Sequence, residues 1–339
     1  MKMPNLSLQI LIKSTTSAAS EDVTEAAGTN QYALCETRAH NSHRKSGHPN
    51  LMSTLCGFAL LMGCIVPDAS AQGRPPSLSF QAAYASTQDA EVGQATLGRD
   101  LYMFDLKGNH GLNQHWSVGW SLGYDVLDYR WQSGDDALFA GRVAPWSSIN
   151  RYNLSMSVGY RDDNWFYSLS PMLQYTWADT ASSSDAQSWG LVATAMHRFD
   201  NGNLLGLGAI YLDDIGKSRV FPFVAVNWRL SDTFVLTNPF DAGFSGPAGL
   251  ELIYEMSPAW QLGVGSSRRS QRVLLDDNGQ TVEFDEWVGF LRLGWQIGQK
   301  VSLNTYAGMM FNGEMELGSG EREKLSNEGA LALAFKVEF

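Results

Sequence analysis

The sequence predicts an all-β fold, a membrane-spanning antiparallel up-and-down barrel of about fourteen strands, with twelve as the alternative. Three observations carry this. Apolar and polar side chains alternate with a period of two from Leu78 to the end of the chain, short and long polar connections take turns, and large aromatic residues gather where the alternating runs end. No window of about eleven residues shows an apolar stripe of helical period, so helices are expected to be nearly absent.

The chain divides into residues 1–71, read as leader and signal peptide, and residues 72–339, read as one barrel domain. Residues 1–42 are rich in Ser, Thr and Ala without periodicity, as a disordered leader or a misplaced start codon would be. The longest apolar run, 55–66, is too short to cross a bilayer about 30 Å thick as a helix. Preceded by His43-Arg44-Lys45 and followed by Ala69-Ser70-Ala71, it reads as a signal h-region with cleavage after Ala71. The rival cut follows a lipobox ending at Cys64. Cys35, Cys56 and Cys64 are the only cysteines, so a disulfide scaffold, a thiolate metal site and a cysteine nucleophile are excluded beyond residue 64. The first 71 residues hold five basic and five acidic side chains, which leaves the net charge of −11 on the barrel. Such a balance excludes a nucleic-acid partner, because phosphate binding needs a basic stripe.

The strands follow from the alternation. Trp116, Val118, Trp120, Leu122 and Tyr124 interleave with Ser117, Gly119, Ser121, Gly123 and Asp125. Tyr152, Leu154, Met156, Val158 and Tyr160 interleave with Asn153, Ser155, Ser157 and Gly159, and the run from Trp165 to Trp177 repeats the pattern. Later runs obey it around Val220–Trp228, Leu250–Tyr254, Leu291–Trp295 and Val301–Met309. Short turns are expected near 108–114, 162–164, 200–202, 230–233, 256–259 and 297–300. Longer links are expected near 87–98, 131–148, 178–186, 213–218, 239–247, 275–282 and 316–326. Six and seven connections make fourteen strands with both termini on the short-turn side; the weakest strand is the one near 234–237.

A soluble β-sandwich also alternates, and aromatic placement separates the two. Trp116, Tyr160, Trp165, Phe199, Trp228, Phe234, Trp260, Trp295 and Phe339 flank the short turns, and Tyr84, Tyr129, Tyr152, Trp177, Trp189, Tyr211 and Trp287 lie towards the long links. Amphipathic rings favour the headgroup level, so two belts are expected. From Trp165 to Tyr175 at about 3.3 Å per residue and a tilt near 45° the span is roughly 23 Å, close to the apolar band of such barrels. Unpaired backbone in hydrocarbon costs several kcal/mol per group, so the sheet must close.

The last strand alternates Leu331, Leu333, Phe335, Val337 and Phe339 with Ala330, Ala332, Ala334, Lys336 and Glu338. This resembles the C-terminal assembly signal of bacterial outer-membrane proteins, and residues 78–339 resemble outer-membrane β-barrels, most of all families known only as uncharacterised ones. The resemblance implies export through the periplasm, insertion by the barrel-assembly machinery, residence in the bacterial outer membrane, and lipid and lipopolysaccharide as neighbours. It implies no substrate and leaves the oligomeric state open.

The opposite parity predicts a lumen lined by Arg161, Arg198, Arg229, Arg269, Arg292 and Lys336 together with Asp105, Asp125, Glu251, Glu255, Glu286, Glu314 and Glu338. Such a wall either orients polar solutes in a transverse field or is mutually paired and unselective. Inward Gly119, Gly123, Gly159, Gly263, Gly265, Gly308, Ala332 and Ala334 suggest an open or partly open interior; easing of strand curvature is the blander account. The acidic pairs Asp135-Asp136, Asp213-Asp214 and Asp276-Asp277, with Asp285-Glu286, lack calcium-loop spacing and are expected to be solvated loop charge; Arg268, Arg269 and Arg272 could meet lipid phosphate or pair with those acids. No metal or cofactor is expected. A passive channel for small or amphipathic solutes is the leading expectation, ahead of a structural or surface-interaction barrel with a closed lumen. A lipid-acting enzyme using His115 or His197 with Ser117 or Ser188 comes third, since no G-x-S-x-G, H-E-x-x-H or phosphate loop occurs.

Overall fold

Sixteen strands form one sheet in the computed structural model, which describes residues 76–132, 138–239, 244–246 and 248–339. The leader, the 55–66 run, the cuts at Ala71 and Cys64, the three cysteines and Asp135-Asp136 lie outside the described residues. The strands are β1 (Ser77–Thr87), β2 (Ala90–Val92), β3 (Ala95–Gly111), β4 (Trp116–Gln132), β5 (Ser148–Arg161), β6 (Trp165–Ala178), β7 (Gln187–Arg198), β8 (Leu204–Asp214), β9 (Lys217–Arg229), β10 (Phe234–Thr237), β11 (Ala248–Glu255), β12 (Trp260–Leu274), β13 (Thr281–Ile297), β14 (Val301–Leu317), β15 (Arg322–Leu325) and β16 (Glu328–Glu338). Helical structure among the described residues is two single turns, Phe139–Gly141 and Ser183–Asp185.

Each strand pairs antiparallel with its neighbour, and β1 pairs both β3 and β16, so the wall closes. β2 and β15 only prolong β1 and β16 beyond the wall and touch through Leu325 and Val92. The barrel therefore has fourteen strands, with both ends of the wall on the short-turn side. The four-residue β10 is real. Two long links are not: within 87–98, β2 pairs with the start of β3 across a turn of Gly93 and Gln94, with Gly93 at φ +58, and residues 213–218 belong to a hairpin whose turn is Ile215 and Gly216, with Gly216 at φ +72. Two-residue turns of this twist need positive φ, which glycine adopts without strain, so the polar run is strand rather than loop.

Four of the six short turns share one local device. Asn113 Oδ1 accepts the Trp116 N–H at 2.8 Å and Asp162 Oδ1 that of Trp165 at 2.7 Å; Ser231 and Ser257 Oγ accept those of Phe234 and Trp260 at 3.1 Å. An oxygen-bearing residue three places before an aromatic thus ends one strand and starts the next.

Between the belts the outer face is dominated by apolar side chains. Met156, Leu207, Val220 and Leu331 are 63–70% exposed, the reverse of a water-soluble protein, where such a continuous patch would be covered. Aromatic pairs ring the lower edge: Trp116 on Tyr160, Trp165 on Tyr167, Phe199 on Trp228, Phe234 on Tyr254, Trp260 on Trp295. Tyr84 with Tyr102, Tyr152 with Trp177, Trp189 with Tyr211, and Trp287 mark the upper edge. Tyr129 is a correction: it points inward and is buried, because β4 turns its odd positions to the interior. Leu333, Phe335 and Phe339 face outwards, and the Phe339 N–H donates to Leu78 O, which helps seal the first strand to the last.

Candidate functional site

Inward side chains make the interior, and its outer half is a packed core. Leu97, Leu101, Leu127 and Tyr129 on β3 and β4 meet Leu138, Phe139, Val143 and Trp146 from the β4–β5 link, all buried. Phe139 and Ala140 hold positive φ, a strain of about 1–3 kcal/mol per residue that persists because the Phe139 ring is buried and its N–H donates to Glu323 Oε1 at 2.7 Å.

A hairpin completes this cap. The upper ends of β12 and β13 leave the wall and cross the mouth until Leu274 pairs with Trp177 of β6 on the far side. Thr180 Oγ1 donates to Leu275 O and the Ser182 N–H to Asp277 Oδ1. The bend has a local cause: Asn312, at φ +53, and Gly313 together oppose the single residue Glu286, and the β13–β14 register shifts there. A bulge of this kind kinks its strand. Val273, Leu274, Leu275, Val282 and Phe284 of the hairpin are buried. At about 1.5–3 kcal/mol for each such side chain, exposing all five costs roughly 10 kcal/mol.

The same bulge corrects one lumen residue. Even positions of β14 point inward below Asn312 and odd positions above it, so Glu314 faces outwards and pairs with Arg322 at 3.1 Å. The other predicted charges have the inward parity. Asp125 binds Arg151 at 2.6 Å, whose Nη1 also donates to Gln271 Oε1. Glu251 accepts from Arg292 Nε at 2.6 Å, and Arg292 Nη1 donates to Asn304 at 2.9 Å. Glu286 accepts a forked pair from Arg99 at 3.1 and 2.8 Å and lies 4.0 Å from Arg269. Arg229 pairs with Glu255 at the lower rim, and Lys336 with Glu338 at 3.1 Å. Arg161, Arg198 and Asp105 face inwards on the lower parts of β5, β7 and β3.

Several members were missed. Arg99 also binds Glu328, and a second network joins Arg219 to Asp214 and Glu283, with Lys217 at 3.3 Å from Glu283 and Glu316. All of these adjoin or lie in segments read as links, where parity has no starting point. Opposite charges thus meet within hydrogen-bond distance around the wall, so the field across the lumen cancels locally. Of the two sequence readings, mutual pairing is the one the geometry supports.

Nor do the glycines of β12 and β14 leave open space. The Glu251 carboxylate lies over Gly263, the Phe290 ring over Gly265, and Phe244 beside Gly308. Below the cap the wall has two sectors. β4 and β5 turn Ser117, Ser121, Asn153, Ser155 and Ser157 inward, with Ser121 and Ser155 bonded at 2.7 Å. Beside them, further round the wall, β6 to β9 present Met172, Val192, Ile210, Leu212, Phe221 and Phe223, inward yet only half-buried. Phe223 lies over Gly208, and Met172 and Leu212 close over Gly190, so these glycines seat apolar side chains.

Histidine–serine chemistry finds no geometry here. His115 Nδ1 sits 2.9 Å from Arg161 O with its ring on Tyr160, and His197 packs between Trp165 and Phe199. Ser117 and Ser188 face the interior, and Ser188 donates to Asp214. The acidic pairs are engaged too: Asp213 accepts from the Trp189 indole and Asp276 from the Asn278 and Gln280 N–H groups. Arg268 pairs with Asp285 and Arg272 with Glu283, which resolves their partners as acids.

Residues 175–330 match a family model described as a domain of unknown function, DUF6268. No curated protein matches the chain. Among solved structures, the COG4313 outer membrane channel from Pseudomonas putida F1 aligns with TM-score 0.44 at 11% identity, covering 81% of this chain and 100% of that one. The Pseudomonas putida toluene transporter TodX aligns with TM-score 0.39 at 10% identity, over 79% and 92%. The translocator domain of the Neisseria meningitidis autotransporter NalP gives TM-score 0.32 at 12% identity, over 84% and 94%. The barrel itself stands on its closed ladder of strand pairs.

Proposed function

We propose that this barrel resides in the bacterial outer membrane, exported through the periplasm and inserted by the barrel-assembly machinery, and acts as a passive channel for small or amphipathic solutes. The two-sector lumen carries the reading. Hydroxyl and amide groups on β4 and β5 adjoin half-exposed apolar side chains on β6 to β9 along one side of the lumen, a surface that water alone does not call for and that suits a solute with one polar and one apolar side. Paired wall charges give little reason for ion selectivity. The lipid-facing belts, with lipopolysaccharide above, are what such a location requires.

Purified protein in proteoliposomes is expected to pass a medium-chain amphiphile faster than it passes a small ion. Replacing Ile210 and Phe223 with Gln should slow the amphiphile and leave folding, read as heat-modifiable migration, unchanged. Equal fluxes before and after that replacement would overturn the proposal. The capped outer end favours a second reading, a structural barrel with a closed lumen; a folded barrel silent to every solute would establish it.

A further inference from the structure

One lumen cation is placed unlike the rest. Arg99, Arg151, Arg219 and Arg292 each hold an acid in the wall. Arg198 ends β7 at the short-turn mouth, inward and half-buried, and among the described residues no carboxylate meets its guanidinium. Its backbone is fixed, because its N–H donates to Asn164 O at 2.6 Å in the turn between β5 and β6. The nearby turn acids are otherwise engaged or wet: Asp162 Oδ1 accepts from the Asn164 and Trp165 N–H groups, and Asp200 is exposed.

The inward neighbours of Arg198 are apolar. Its pairing partner on β8 is Leu204. Met196 is the next inward residue of β7, and its partner on β6 is Phe166. Phe166 in turn pairs with Arg161 of β5, which brings a second positive charge to the same arc of the mouth. A cation set among apolar groups attracts an anion more strongly than it would in bulk water.

Above Leu204 the next two inward residues of β8 are glycines. The atoms nearest to where a Cβ of Gly206 would stand are backbone atoms of Ala195 and Met196, so the wall is flush there. Met196 and Ala225, the pairing partners of Gly206, flank this strip, and the Phe223 ring lies over Gly208 at its upper end. From the Leu204 row to the Gly208 row is about 13 Å along the strand, and Ile210 follows. A cation at the mouth thus stands at the foot of an apolar track that climbs the wall.

We propose that the lumen binds amphipathic carboxylates, with the head group on the Arg198 guanidinium and the tail laid along β8 over Gly206 towards Phe223 and Ile210. This rests on the channel reading and names its class of solute. The planar guanidinium offers two parallel N–H donors to the two oxygens of a carboxylate, and a single unmatched charge suits a monoanion. A neutral alcohol of the same length gains the tail contacts alone.

The test uses the full barrel in zwitterionic detergent with two probes, dodecanoic acid and dodecanol, each carrying a diazirine at its far end. Photolysis should place adducts of the acid on Phe223 and Ile210. Arg198→Gln should lower their yield about ten-fold at limiting probe and leave those of the alcohol unchanged, with heat-modifiable migration intact. Arg198→Lys, which keeps the charge and loses the fork, should fall between. Equal labelling by acid and alcohol in the unaltered protein, acid labelling indifferent to Arg198→Gln, or an equal loss of both probes would overturn the site. Flux of both probes is measured in vesicles. Flux of neither, with adducts that depend on Arg198, sinks the channel reading and upholds the site; flux of the acid with adducts indifferent to Arg198→Gln sinks the site and leaves the channel.

Discussion

The outer and inner halves of this barrel use one backbone pattern in two different solvents. Above the upper belt the interior is filled by Trp146, Phe284, Leu97 and their neighbours, and stability there comes from burying apolar surface away from water, as in a soluble domain. Between the belts the greasy side chains face lipid, gain nothing from burial, and leave the closed hydrogen-bond ladder as the main restraint. The same kind of residue therefore carries unequal weight in the two halves, and substitution can measure the inequality.

The largest effect is expected at Arg99. Arg99→Ala strands Glu328 in the interior without its cation, leaves Glu286 only Arg269 at 4.0 Å, and should cost about 3–5 kcal/mol in urea unfolding from detergent. A loss below about 1 kcal/mol would mean that water reaches those carboxylates. Trp146→Ala should cost a similar or slightly smaller amount, about 3–4 kcal/mol, and loosen the cap to proteolysis while the heat-modifiable barrel persists. If the wall melts with it, the two halves are one cooperative unit and the contrast fails. Leu207→Arg, on the lipid face, should cost about 2–4 kcal/mol through insertion of a charge into hydrocarbon, whereas Leu207→Ala should cost well under 1 kcal/mol. Matching penalties for Leu207→Ala and Leu97→Ala would break the comparison outright. Asp162→Ala removes one turn acceptor and should cost about 1 kcal/mol, visible as a small midpoint shift without change in belt fluorescence.

Much of the wall was legible because lipid allows only one pattern. Trp116, Tyr160, Trp165, Trp177, Trp228, Trp260, Trp287 and Trp295 all face outwards, as the period of two requires. Even the short β10 was readable from Phe234 and its turn. Misreadings cluster where the pattern leaves the bilayer. Polar residues 213–218 read as loop because a tip above the belt is wetted, although they hold strand pairing, and Tyr129 read as belt because its ring type fits either environment. Glu314 failed for a different reason: one extra residue at Asn312 and Gly313 reverses parity, and nothing in the local alternation marks it strongly. The repeated oxygen-bearing residue three places before an aromatic, as in Asn113 and Trp116, was a signal available in the sequence and not used.

By itself the sequence determined the barrel, its closure, its two belts and the outward face of its last strand, because a bilayer punishes every unpaired backbone group and every wrongly turned side chain in the same way along the whole chain. Only the tertiary structure decided which charges meet, that the outer end is capped, and that β10 stops at Thr237. Those outcomes depend on contacts between residues as far apart as Arg99 and Glu328, 229 positions, and on a bend and a shortened strand whose consequences appear only once the sheet has closed.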